Sequence, residues 1–146
     1  MRTRMIILFF LSFVLSAQAQ KAIKINNKYD ADYVDIPGTQ LSIAPPADFE
    51  LSERFKGFEH KLSGASIMVV KVPGDIHQSM MAFPKNQDPR KGMVVSKEEM
   101  YKINGYEALL QTGAQMAHGK SYYRARLIIG DLRTTYLLNA SYYVSS

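Results

Sequence analysis

Between Tyr106 and Val144, apolar and polar side chains alternate through three successive stretches, and the alternation keeps its phase across two glycine-containing bends. This constrains the fold more than any other feature of the chain. Successive strand side chains point to opposite faces, so a one-residue slip would turn the whole apolar set toward water. In 106–117 the even positions are apolar: Tyr106, Ala108, Leu110, Ala114 and Met116. In 121–129 the odd ones are: Tyr123, Ala125, Leu127 and Ile129. In 132–144 they are even again: Leu132, Tyr136, Leu138, Ala140 and Tyr142. Apolar can meet apolar only if both loops hold an even number of residues. Gly119-Lys120 and Gly130-Asp131 put glycine first of two central positions, as a type II′ hairpin requires. The register that follows sets Met116 against Tyr123, Leu110 against Ile129, Ile129 against Leu132 and Tyr123 against Leu138.

Upstream, 33–36 and 40–43 flank Pro37-Gly38, which suits the centre of a type II turn, and Ala44-Pro45-Pro46 ends that short hairpin. Phe49, Phe55 and Phe58 read as core aromatics. Two strands, 58–62 and 65–72, surround Ser63-Gly64. The second is apolar on both sides, with Ile67 and Val69 against Met68, Val70 and Val72, the pattern of a central strand covered on both faces. Asp75 can cap a helix over 76–83 that Pro84 stops, with Ile76, Met80 and Phe83 sharing one side. The polar run 85–92 reads as an exposed loop. The expected fold class is α+β: an antiparallel sheet with flanking helices.

The first nineteen residues predict a cleavable secretory leader. Arg2 and Arg4 are basic, Met5 to Ser16 is almost wholly apolar, and Ala17-Gln18-Ala19 is a small-x-small cleavage site. The apolar run, about twelve residues, is too short to cross a bilayer about 30 Å thick. No transmembrane segment is expected after cleavage, and no cysteine is present to carry a lipid anchor. The exported chain would begin at Gln20, with 20–32 as a flexible lead-in and 33–146 as one domain. Removing nineteen residues from 146 leaves 127, enough to bury about two-thirds of the unfolded surface without disulfides. Loss of Arg2 and Arg4 lowers the formal charge from +5 to +3, with basic and acidic residues interspersed. Nucleic acid is therefore not the expected partner.

Chemical motifs are sparse. His60, His77 and His118 lie at no metal-ligand spacing, and HExxH is absent. His77 beside Met80 and Met81 raises copper(I), but Met80 fits the apolar side of the helix and reads as packing. No serine lies in G-x-S-x-G or S-x-x-K. Glu98 and Glu99 are adjacent and would point to opposite faces of a strand, and Asp30, Asp32 and Asp35 lack calcium-loop spacing. No catalytic residue, metal or cofactor is expected.

Ile43-Ala44-Pro45-Pro46-Ala47-Asp48-Phe49, the apolar strand 66–72, a short helix, a polar loop, Ile103-Asn104-Gly105-Tyr106 and long hairpins follow in an order that resembles the PsbP-like superfamily. The resemblance covers about 34–144. It implies an α/β/α sandwich around an antiparallel sheet, and a role in binding other proteins, since members of known role mostly act in that way. It carries over no catalytic residue. Such domains end in a helix packed on the sheet, whereas here Ser145-Ser146 directly follow the last strand. With the C-terminal helix missing, apolar sheet surface would lie open to a partner.

The sheet face opposite the apolar one carries Tyr122, Arg124, Arg126 and Arg133, with Glu107, Gln111 and Gln115 nearby. Arginine and tyrosine are favoured in binding sites, and arginine clamps carboxylates or phosphates. A solvated or helix-covered face is the plain alternative. The sequence thus points to an exported cell-envelope protein, periplasmic or extracellular, that is not an enzyme and acts by binding another envelope protein. A small-ligand or lipid carrier with Phe49, Phe55 and Phe58 around a cavity, and an envelope hydrolase with an unrecognised site, are the alternatives.

Overall fold

The computed structural model describes residues 21–85 and 92–144. The leader with its cleavage site, most of the polar loop and Ser145-Ser146 lie outside the described residues. In chain order the strands are β1 (Ile23–Ile25), β2 (Val34–Asp35), β3 (Ser42–Ile43), β4 (Glu50–Leu51), β5 (Gly57–His60), β6 (Ala65–Pro73), β7 (Val94–Ile103), β8 (Tyr106–Ala117), β9 (Lys120–Gly130) and β10 (Thr134–Tyr143). The helix α1 (Ile76–Met81) lies between β6 and β7. Eight strands form one sheet in the order β1-β7-β8-β9-β10-β6-β5-β4, and β2 and β3 pair separately.

The phase of the alternation is as expected, but both registers differ. Ala114 lies opposite Tyr123 and Leu110 opposite Leu127, two residues away from the expected pairing. The turn is made by His118 and Gly119, both left-handed at φ 52 and 73, which is type I′ and not type II′. Across the next bend Ile129 faces Tyr136 and Tyr123 faces Tyr142, a shift of four. Here the turn takes four residues. The Asp131 carboxylate accepts from the amides of Arg133 (2.8 Å) and Thr134 (2.9 Å), and the Asp131 amide donates to the Thr134 carbonyl. Gly130 is in the strand, where a Cβ would come within 2.2 Å of the Thr134 carbonyl oxygen. Both loops are even, so both preserve the faces.

β7 is a strand that the alternation does not announce. A bulge between Val95 and Lys97 breaks its period, and charges occupy 97–99. Ile23–Ile25, within the segment read as a lead-in, pairs with Tyr101–Ile103 in parallel, so the sheet is mixed, not antiparallel.

One face packs Phe58, Val69, Ala108, Ile129 and Tyr136 under Ile36, with Val34, Leu41, Ile43 and Phe49 laid across. Phe55 belongs to neither core cluster. The other face packs Leu109, Ile128 and Leu137 against Ile76, with Met80 and Phe83 alongside. The expected sandwich with flanking helices is therefore wrong. Its first layer is an extended hairpin, because Pro37, Pro45 and Pro46 deny that stretch a helix. Its second is a single six-residue helix, the only one among the described residues. Asp75 caps it as expected, accepting from the His77 amide at 2.7 Å. So short a helix covers β6 at Val72 but leaves Met68 and Val70 exposed, so that strand is not covered on both faces as expected.

Candidate functional site

Period-two geometry puts Tyr122, Arg124 and Arg126 of β9 on the face that also carries Ile128. Their neighbours are Gln115 and Tyr143 beside Tyr122, Gly113 and Ser141 beside Arg124, and Gln111 and Asn139 beside Arg126. Small residues thus flank Arg124 on both sides. Aromatic and cationic groups then follow one another along the face. The Lys120 ammonium lies 5.7 Å from the Tyr143 ring centre, and Tyr143 meets Tyr122 edge to face at 6.0 Å. Arg124 lies 5.8 Å from the Tyr122 ring centre, and Arg126 lies 4.3 Å from that of Phe83.

Two arginines in this strip play different parts. Arg126 is held. It donates to the Gln111 side-chain oxygen at 3.3 Å and to Asn139 at 3.4 Å, and Phe83 covers its plane. Gln111 is itself wholly buried, donating to the Phe83 carbonyl (2.7 Å) and to Glu98 (2.8 Å). Burial, and then the charge of Arg124, lower the Arg126 pKa from its ordinary value, while guanidinium stays cationic at physiological pH. Arg124 is not held. Its Nε is buried and finds no hydrogen-bond partner among the described residues. A cleft of about 60 Å³ opens beside both arginines, edged by Met93, Gln115 and Asn139.

Tyr122, Arg124 and Arg126 therefore come together as the sequence suggests, but Arg133 does not join them. It sits in the turn after β9, at the far end of the sheet, where its carbonyl accepts from the Gly74 amide. Glu107 is also at that far end, its carboxylate 2.6 Å from His77 Nε2. Lys120, Tyr143 and Phe83 are members of the strip that the sequence reading missed. The true β9–β10 register would have supplied Tyr143.

His77 stands between two carboxylates, with Nδ1 3.0 Å from Asp75 and Nε2 facing Glu107, and no hydroxyl nucleophile among its partners in the described residues. His60 Nδ1 lies 2.6 Å from Ser63 Oγ and accepts from the Ser63 amide, so this pair fixes the turn before β6. Among the described residues no three His, Cys, Asp or Glu side chains are placed to hold a metal ion, and no helix is long and apolar enough to cross a membrane. Met80 packs in the core beneath α1, while Met81 is exposed.

A second concave region surrounds Tyr106 at the other end of β8. One cleft of about 270 Å³ is walled by Tyr29, Tyr33 and Tyr106 over Leu41, Ile103 and Ile129. Its polar groups come from Asn27, Gln40, Ser42 and Asn104. Tyr106 also borders a cleft of about 280 Å³ that reaches His77, Glu107 and Asp131. None of the three phenylalanines expected around a carrier cavity lines these clefts. Phe58 is instead packed solid in the core.

No protein-family pattern matches the chain, the PsbP-like superfamily included, and no characterised protein matches it in sequence. A solved structure of similar shape is that of LpqN, described as involved in cell envelope biogenesis of Mycobacterium tuberculosis. It aligns with 82% of this chain and 76% of its own at 17% identity and a TM-score of 0.48. A likeness of that degree carries no argument about function.

Proposed function

We propose that the protein is an exported, non-enzymatic accessory module of the cell envelope, which binds an acidic segment of another envelope protein along the strip from Lys120 to Arg124. The leader-like first nineteen residues support export. The single observation that carries the binding role is Arg124. It is a guanidinium between small neighbours, against a half-buried tyrosine, with a buried nitrogen that has no partner among the described residues. A carboxylate bound at that guanidinium would make charge-assisted hydrogen bonds with it. Lys120 extends the positive charge along the strip, and Tyr122 and Tyr143 offer rigid amphipathic area of the kind favoured in contact surfaces.

The test is binding of a glutamate-rich peptide, and of partners captured from envelope extracts, by the protein and by its Arg124→Gln variant. The variant should bind about tenfold more weakly, a loss of about 1.4 kcal/mol, and added salt should weaken the parent more than the variant. Capture of one specific partner equally well by both proteins would overturn the reading.

A further inference from the structure

We infer that the tyrosine-walled cleft at the other end of the sheet is a second site, for a neutral, hydroxyl-rich ligand of the saccharide class. It stands about nine residues along β8 from the arginine strip, about 30 Å, so it is independent of the protein-binding role.

The chemistry of the lining selects the ligand. Three tyrosine rings form the walls, with Tyr29 and Tyr33 tilted toward each other at 6.0 Å and Tyr106 half exposed. Such rings offer flat apolar surface with a polar tip. A pyranose has matching parts, an apolar ring face of C–H groups and a hydroxylated edge. The polar groups at the cleft are amides and hydroxyls, which both donate and accept, as sugar hydroxyls do. The side-chain amides of Asn27 and Gln40 and the hydroxyls of Tyr33 and Tyr106 have no protein partner among the described residues, so they are free to serve a ligand. Among the described residues no charged side chain lines the cleft. The nearby Asp35 carboxylate is engaged by Ser42 and by the Tyr29 hydroxyl. A charged ligand would thus find no counter-charge, and a purely apolar one would strip water from amides without replacing it.

The cleft is also anchored. The Asn104 side-chain oxygen accepts from the Asn27 amide at 2.7 Å, and the Asn104 amide donates to the Ile25 carbonyl at 2.9 Å. The β7–β8 turn thereby holds the wall that carries Tyr29 and Tyr33. From the opposite side, the Tyr136 hydroxyl accepts from the Gln40 backbone amide, which fixes the hairpin that carries Gln40. A lining positioned beforehand lowers the entropic cost of binding.

The experiment is an NMR titration of the full chain, following the side-chain amides of Asn27, Gln40 and Asn104. The probes are cellotriose and chitotriose as neutral saccharides, glucuronate as a charged one and indole as an apolar one. The expected result is saturable shifts at these amides with a neutral trisaccharide, with a Kd of about 0.1 to 1 mM. Tyr106→Ala should weaken that binding at least tenfold, and Arg124→Gln should leave it unchanged. Tyr106 is half exposed, and backbone shifts away from the cleft report whether its variant keeps the fold. Gln40→Ala, which removes the side-chain amide and its γ-methylene but keeps the backbone amide bonded to Tyr136, provides a second test and should weaken binding likewise. The inference falls if neither trisaccharide gives a saturable shift at about ten times that Kd. It also falls if glucuronate or indole binds more tightly, or if both cleft variants, folded, bind as the parent does.

Discussion

The Arg126 guanidinium lies 4.3 Å from the centre of the Phe83 ring, and with Gln111 beneath it this contact fastens the segment after α1 to the middle of the sheet. Beyond that fastening Met93 is buried beside the cleft at Arg124, Arg124 and Tyr122 are half-buried, and Tyr143 comes to the surface.

The Arg126–Phe83 pair should be energetically coupled. Arg126→Met and Phe83→Leu, made singly and together, give a double-mutant cycle. Because burial removes competing water, the expected coupling is about 1 to 2 kcal/mol. Urea unfolding measures it, and an additive double mutant would show that the stacking contributes nothing.

Gly113 faces the bulged end of β7, where an added Cβ would sit 1.8 Å from the Val94 carbonyl oxygen. The two strands cannot keep this register with any side chain at that position. Gly113→Ala should therefore destabilise the protein by about 2 to 4 kcal/mol, and hydrogen exchange should rise first along 94–97. Gly64→Ala is the control, since a Cβ there would meet nothing within 4 Å and only its left-handed φ of 75 is unfavourable. Its cost should be about 1 to 2 kcal/mol.

The Asp131 carboxyl is held below the usual aspartate range, chiefly by the backbone amides of Arg133 and Thr134. A depressed carboxyl pKa contributes stability that is complete above the unfolded value of about 3.9 and lost as pH falls through the folded one. Urea midpoints measured from about pH 5 down to about pH 2 should fall less steeply in Asp131→Asn than in the parent. Identical slopes would show that the turn does not depend on the charge.

His118 adopts φ 52 in the type I′ turn, a conformation that asparagine accepts more readily than histidine. His118→Asn should raise stability by about 0.5 kcal/mol without altering the register. Thermal unfolding measures the gain, and a fall in stability would mean that the histidine ring makes a contact of its own.

That turn also shows where the sequence is legible and where it is not. Alternation in 106–144 identifies which side chains share a face, because an even loop of any length leaves parity intact. It cannot distinguish a turn centred on His118-Gly119 from one centred on Gly119-Lys120, since both are two-residue loops and glycine serves in either. At the next bend the deciding group is the Asp131 carboxylate, which caps two amides and makes a four-residue turn. The strip at Tyr122, Arg124 and Arg126 follows from parity and was visible. Tyr143 required the true register, and Phe83 required knowing how the chain returns over the sheet. β7 stayed hidden because its bulge breaks the period, although Asn104-Gly105, at φ 49 and 85, is itself a strong hairpin signal. The expected helical layers failed for a different reason, since the chain covers its sheet with extended backbone that has no 3.6-residue period to detect.

Arg124 and Arg126 share one face of one strand, yet their removal should have opposite consequences. Arg126 has two side-chain acceptors and an aromatic cover, so Arg126→Gln loses formed contacts and leaves Gln111 short of a partner. It should cost about 1 to 3 kcal/mol. Arg124 keeps a buried nitrogen without a partner among the described residues and lies beside a second cation. Arg124→Gln removes both unfavourable features, so it should be neutral or stabilising by up to about 1 kcal/mol. A residue that stabilises nothing in the free protein but weakens partner binding when replaced serves the complex and not the fold. Chemical denaturation of the two variants side by side is the check. Were Arg124→Gln as destabilising as Arg126→Gln, both arginines would be parts of the sheet's packing, and Arg124 would not be reserved for a partner.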